Sequence, residues 1–479
     1  MHPILKKLTV ATVSLLMLPT LFACGQTEGD LTDTTNTTAE TTVSEEERLY
    51  GDLPTDRFNG YEFNVLQYKE TTAATATVLT EMTGNPIEDA LYERMLAVEQ
   101  RLDVKFVNNV NDLAETVTLL RNSITGGLDE YDVYWGHSTT TVSNFLAAGY
   151  LTDMNTVDAL DFSKPWWDKT ANENLALDKH MYMAFGDINI YLFDFHSTLV
   201  FNKDVTDQYG EDLYGMVQNG TWTMEQFIRL ATDTALPAAD GSGKYERMAY
   251  TGYAQATMFG FIHGTGAELF IRDENDVPVL GTVNEAYMNV LTAYSALFGD
   301  KSLCDTADSD MMITFAAGEA TFVSCGIGQL GGLRDEAFHY GLLPFPKRDT
   351  AQESYISFVS NQIQPMVIPK SATDVERTGV ILENLAAESY RTVRPEYFQV
   401  LLESKYVRDP ESLDIMKMIF DSETRFELEH VYNWNGFEND VVAALTGKAD
   451  RFTSTVKRQS TIVNKKISET LDYLDQSNE

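Results

Sequence analysis

Between Tyr61 and Trp135 the chain alternates two periodicities, and this alternation constrains the fold more than any other feature of its 479 residues. Tyr61-Glu62-Phe63-Asn64-Val65-Leu66 repeats with the two-residue period of a strand. Ile87 to Leu102 then puts Ile87, Ala90, Leu91, Met95, Val98 and Leu102 on one face of a helix. Val104 to Val107 reads as the next strand, Asp112 to Ile124 as the next helix, and Tyr131-Asp132-Val133-Tyr134-Trp135 as a short buried strand. Helices between successive strands are the crossovers that parallel pairing requires. The β-α-β-α-β order therefore calls for an α/β fold with a parallel, doubly wound sheet.

The remaining length needs a second core, because single cores stop growing at about 250–300 residues. Met181–Gly186 and Ser197–Asn202 read as paired strands, after which this second lobe starts. Helical patterns follow at Asp204–Gln218, Met224–Thr234, Asn284–Phe298, Asp308–Ala317, Pro410–Ile419 and Ile462–Leu474. Asp374–Tyr390 is amphipathic, with Val375, Val380, Ile381, Leu385 and Ala386 apolar. Thr223 and Gln226 have the spacing of a capping box for the helix at Met224. No internal repeat is present.

The first residues read as an export signal. Lys6 and Lys7 precede an apolar run from Leu8 to Leu21 that is too short to span a bilayer. It ends in Leu21-Phe22-Ala23-Cys24, the pattern of a bacterial lipobox. Residues 1–23 are then a lipoprotein signal peptide, and Cys24 is the lipidated residue that anchors the chain on the extracytoplasmic face of the membrane. An ordinary signal peptide that happens to contain a Cys is the alternative. Residues 24–56 form a tether, since Gly25 to Glu47 is rich in Thr, Glu and Asp and cannot bury enough surface to offset its chain entropy. A formal net charge of −37 repels phosphate backbones and argues against a nucleic-acid partner. Cys304 and Cys325 are too few for a disulfide framework and leave either one bridge or two buried thiols.

From Tyr61 onward several segments share one order. They are Asp129-Glu130-Tyr131-Asp132-Val133 followed by Leu146 to Met154, Leu199-Val200-Phe201-Asn202-Lys203-Asp204, and Asn219 to Phe227. Phe315 to Phe322 and Tyr340-Gly341-Leu342-Leu343-Pro344-Phe345-Pro346 complete the series. In this the chain resembles the family 1 extracellular solute-binding proteins, the maltose-binding-protein-like substrate-binding lipoproteins of ABC importers. The resemblance implies a two-lobed periplasmic-binding-protein-like fold, each lobe a mostly parallel sheet flanked by helices. It places lobe 1 at 57–187 plus 365–405 and lobe 2 at 188–360 plus 406–479, joined by a multi-strand hinge near Gly186–Phe195, Ser357–Gln364 and Lys405–Pro410. It further implies a monomer that closes on a small solute, a sugar or oligosaccharide above all, and delivers it to ABC permease subunits.

A pyranose needs a flat apolar platform for its C–H faces and paired donors and acceptors for its hydroxyls. The resemblance puts suitable residues at cleft-facing ends: Gln67, Tyr68, Trp135, His137 and Ser138 on the first lobe, Asp187, Asn189 and Tyr191 at the first crossing, and Gln329, Tyr432 and Trp434 on the second lobe. Each has a plainer reading. Trp135 can be core at a strand end, Trp434 can be core despite its Asn neighbours, Tyr191 can pack in the hinge, and Asp187 can serve the turn after Gly186.

Other signals carry less. Gly326-x-Gly328-x-x-Gly331 matches a dinucleotide fingerprint but lies far from a first β-α-β unit, so no cofactor is expected. The His residues lack ligand spacing, so no metal is expected. Asp273 to Glu285 starts like a calcium loop but has Pro278 where Gly is required. No acid/base constellation or nucleophile elbow stands out, which argues against an enzyme. The alternatives to transport are a ligand-sensing subunit for a membrane kinase and a secreted carbohydrate-active enzyme.

Overall fold

A computed structural model describes residues 44–69, 79, 81–274, 276–334, 336–360, 362–403, 407–426 and 428–478. Cys24, the signal segment and most of the tether lie outside the described residues. Of residues 1–48, the described part is Ser44–Arg48, which opens the short helix Glu45–Tyr50.

In residues 49–479, β1 (Tyr61–Tyr68), β2 (Val104–Asn111) and β3 (Val133–Trp135) run parallel in the order β3-β1-β2. Tyr68 stands opposite Asn111, and Gln67 opposite Trp135. The crossover helices are Pro86–Leu102 and Leu113–Gly126. The first is set by local chemistry. The Asn85 side chain accepts from the amides of Ile87 and Glu88, Pro86 occupies the first turn, and Asp103 ends the helix in the left-handed region. Leu91, Met95, Val98 and Leu102 are the face it buries.

The second sheet begins with β4 (Ser197–Asn202), β5 (Leu236–Pro237) and β6 (Tyr245–Thr251). β7 (Phe270–Arg272) and β8 (Pro278–Leu280) form a separate antiparallel hairpin. β9 (Cys304–Asp305), β10 (Ala320–Gly326) and β11 (Tyr340–Leu343) complete the second sheet, in the order β11-β4-β10-β6-β5 with β9 against β6. β6 is parallel to both β9 and β10, whereas β4 is antiparallel to β10 and β11, so this sheet is mixed. β12 (Ile356–Phe358) pairs with β14 (Glu423–Arg425), and between them in sequence β13 (Met366–Val367) returns to the first sheet, antiparallel to β3.

Two local expectations are corrected. Met181–Gly186 does not pair with β4. Ala184 bridges Met366 and Gly186 bridges Trp167, so this segment extends the edge of the first sheet instead. The capping box at Met224 is not formed, for Thr223 makes no side-chain cap bond. The Gln226 side-chain oxygen accepts from Arg229 at 3.0 and 3.1 Å, and a hydrogen bond from a cation is stronger than one from a neutral amide. The helix Val375–Glu388 holds Val380, Ile381, Leu385 and Ala386 in the core as its pattern requires. Cys304 and Cys325 are free, buried thiols.

The first core also encloses a carboxyl group. Glu383, on that helix, is 2% exposed and accepts from the indole N–H of Trp166 and of Trp167, each at 2.9 Å. Burial pushes its carboxyl up to about 7.

Candidate functional site

Parallel strands bring their carboxyl ends to one edge of a sheet, the edge at which open α/β sheets present ligand-binding side chains. On the first sheet that edge gathers Gln67 and Tyr68 at the end of β1 with Trp135, His137 and Ser138 at the end of β3. Tyr68 and His137 meet edge to face, ring centroids 6.5 Å apart. The backbone N–H of Ser138 donates to the Ile363 carbonyl at 3.0 Å, and Asn189 Nδ2 donates to the Gln364 carbonyl at 2.9 Å. Ser138 and Asn189 therefore both bond the crossing segment at Ile363 and Gln364, and Gln67, Tyr68, Ser138 and Asn189 are themselves buried.

The second sheet offers the matching edge at the ends of β6 and β10. Gly326-Ile327-Gly328, at and just beyond the end of β10, packs on the crossing segment Asp187–Phe195. A Cβ on Gly326 would lie 2.7 Å from the Asp194 carbonyl oxygen, and one on Gly328 would lie 2.8 Å from the Asp194 Cβ. Close backbone approach thus accounts for these glycines. Gln329 is exposed, and its side-chain oxygen accepts from the Gly326 amide at 3.0 Å. Asp194 itself accepts from the Tyr397 hydroxyl, and burial pushes its carboxyl up to about 6.

Sequence reasoning missed the rest of this edge. Tyr253 follows β6 and is 37% exposed, with its hydroxyl donating to Gln255 Oε1 at 2.9 Å. Gln255 in turn donates to Asn439 Oδ1 at 3.1 Å. The one available signal was an aromatic residue directly after the strand end at Thr251-Gly252.

Five expected residues stand elsewhere or are more deeply placed. Trp135 is 1% exposed and packs with Phe63, Val65 and Met366, and its indole N–H has no hydrogen-bond partner among the described residues. Tyr191 is buried beside Arg94, and burial raises its hydroxyl above the ordinary tyrosine range. Tyr432 and Trp434 stack on each other at 4.7 Å, Trp434 lies 5.7 Å from Phe270, and the Tyr432 hydroxyl donates to the Leu175 carbonyl at 2.7 Å. Asp187 begins the first crossing but lines a different cavity, where it pairs with Arg394 at 3.2 Å. Among the described residues no group of His, Cys, Asp and Glu is placed to hold a metal ion, and no helix is long and apolar enough to cross a membrane.

Two α/β sheets, linked by crossings that both carboxyl edges touch, define a two-lobed binding-protein fold. The chain belongs to the bacterial extracellular solute-binding protein family, whose model matches residues 99–388. Among solved structures it is similar to a cyclic α-maltosyl-1,6-maltose binding protein from Arthrobacter globiformis, at TM-score 0.58 and 13% identity over 85% of this chain and 99% of that one. It is also similar to the ABC substrate-binding protein Lmo0181 from Listeria monocytogenes in complex with cycloalternan, at TM-score 0.54 and 14% identity over 85% and 99% of the two chains. UgpB from Mycobacterium tuberculosis in complex with glycerophosphocholine aligns at TM-score 0.53 and 14% identity, again over 85% and 99%. At such identities the likeness is one of fold. No curated protein matches the chain in sequence.

Proposed function

We propose that this chain captures a neutral sugar or oligosaccharide between the carboxyl edges of its two sheets and delivers it to ABC permease subunits, held outside the cytoplasm by lipid on Cys24. The observation that carries the sugar reading is the make-up of the two edges. Gln67, Tyr68, His137, Ser138 and Asn189 on one side, with Tyr253, Gln255 and Gln329 on the other, supply amide, hydroxyl and aromatic groups and no formal charge. Planar amides bridge vicinal hydroxyls, and tyrosine rings cover C–H faces. A phosphodiester would call for cationic partners, which this set lacks. Two of the three similar structures named above concern cyclic saccharides, which supports the same reading.

In this reading the lobes are 57–187 plus 365–405 and 188–360 plus 406–479, and the chain binds its solute as a monomer without turning it over. Ligand favours closure about the crossings because only the closed form contacts it from both edges. Thermal-shift screening of the full chain against mono- and oligosaccharides, with glycerophosphocholine alongside, tests the class. A sugar at about a hundred times its dissociation constant adds about 2.7 kcal/mol. A shift confined to glycerophosphocholine overturns the sugar assignment and leaves solute capture standing.

A further inference from the structure

A cavity of about 320 Å³ lies beside the first crossing, lined among others by Trp167, Asp187, His196, Arg394, Phe420 and Thr424. Its lining includes none of Gln67, Tyr68, His137, Ser138 or Gln329. Its size is at the lower end of that of small-molecule sites.

Asp187 is 4% exposed, so its carboxylate has left bulk water. An ionised carboxylate has about four acceptor positions, and buried polar atoms are normally paired. Here both oxygens receive one and the same group, Nη1 of Arg394, at 3.4 and 3.2 Å. Charge-assisted bonds are usually shorter than this. Burial also pushes the Asp187 carboxyl up to about 6, as expected of a poorly compensated anion. His196 on the same wall is 4% exposed, and its ring interacts with the backbone of Leu192 and Phe193. The cavity therefore combines an under-filled acceptor with the guanidinium of Arg394, whose side chain is 37% exposed.

Charge selects what fits. Asp168, Asp187 and Asp421 share the lining with Lys169 and Arg394, so an anionic guest meets carboxylates and a cationic guest meets Lys169 and the guanidinium. Adjacent hydroxyls on a neutral guest donate to the carboxylate and accept from the guanidinium together. We propose that this cavity is a second ligand site, for a small neutral polyol held through vicinal hydroxyls by Asp187 and Arg394. It is distinct from the sugar site between the sheet edges and does not depend on that reading.

The test is a calorimetric titration of the full chain with xylitol at millimolar concentration, below the range where polyols stabilise proteins generally by exclusion. Tryptophan emission is followed in parallel, because Trp166 and Trp167 line the cavity. A saturable heat and emission change is expected, with affinity at least tenfold weaker in Asp187→Asn and in Arg394→Gln and unaltered in Tyr68→Ala. Should Asp187→Asn fail to fold, Arg394→Gln alters a half-exposed side chain and decides alone. The proposal is overturned by no saturable response to xylitol, erythritol or glycerol, or by binding that survives Arg394→Gln. Binding lost in Tyr68→Ala and kept in Arg394→Gln also overturns it, by assigning the polyol to the sheet edges.

Discussion

Glu383→Gln isolates the cost of burying one carboxylate beneath two tryptophans. In the fold Glu383 is 2% exposed and its carboxyl stands at about 7 rather than the ordinary 4.5, with burial as the main cause. The indole bonds of Trp167 and Trp166 pull it the other way without winning. A carboxyl raised in the folded state holds its proton better there than in the unfolded chain. Its contribution to stability is fully present below pH ~4.5 and is lost as pH rises through ~7. The full span is worth about 3 kcal/mol, of which about 2.5 kcal/mol falls between pH ~5 and ~8. Asp187 and Asp194 are raised to about 6 by burial and tilt the profile the same way, but they remain in the variant. Gln accepts through one oxygen, whereas both oxygens of the carboxyl face an indole, so one indole N–H meets the amide NH2 and loses its partner at a pH-independent cost of about 1–3 kcal/mol. Urea melts of both proteins at several pH values, followed by tryptophan emission, should show the variant less stable at pH ~5 and the two converging by pH ~8. Parallel profiles would refute the assignment of a raised carboxyl to Glu383.

Three further outcomes are expected. Trp434→Ala should cost about 3–5 kcal/mol in a denaturant melt, since the ring is 7% exposed between Tyr432 and Phe270; a small stability loss with abolished sugar binding would instead put Trp434 in the site. Gly252→Ala would set a Cβ 2.1 Å from the Tyr250 hydroxyl, which is bonded to Ser324 in the core, so a loss of about 1–3 kcal/mol and weaker sugar binding beside Tyr253 are expected in paired melt and titration measurements. Cys24→Ser should move the protein from the membrane fraction to the medium, and a processed variant that stays membrane-bound would remove the lipid anchor from the account.

The sequence by itself determined what depends on near neighbours along the chain. The two-residue period of Tyr61–Leu66 and the helical face of Leu91, Met95 and Val98 became β1 and its crossover helix because each pattern is complete within one element. Asn85, Pro86 and Asp103 fixed that helix's ends for the same reason. The carboxyl edge of the first sheet was legible too, since parallel order brings Gln67, Tyr68 and His137 together once β1 and β3 are recognised. Tertiary structure alone decided the partners that lie far away in sequence. β13 has two residues, too few for any period, and joins the first sheet only because β3 offers Trp135 and Tyr134 as partners. Whether the rings of Trp135 and Trp434 face a ligand or a core depended on Met366 and Phe270, distant segments that no local pattern names. Gln226 turned from Thr223 to Arg229 because a charged donor bonds more strongly than a helix amide. Gly326 and Gly328, at the end of β10, answer to Asp194 in the crossing segment, because a close approach of two segments is a property of the packed fold and leaves in the sequence only a motif with several meanings.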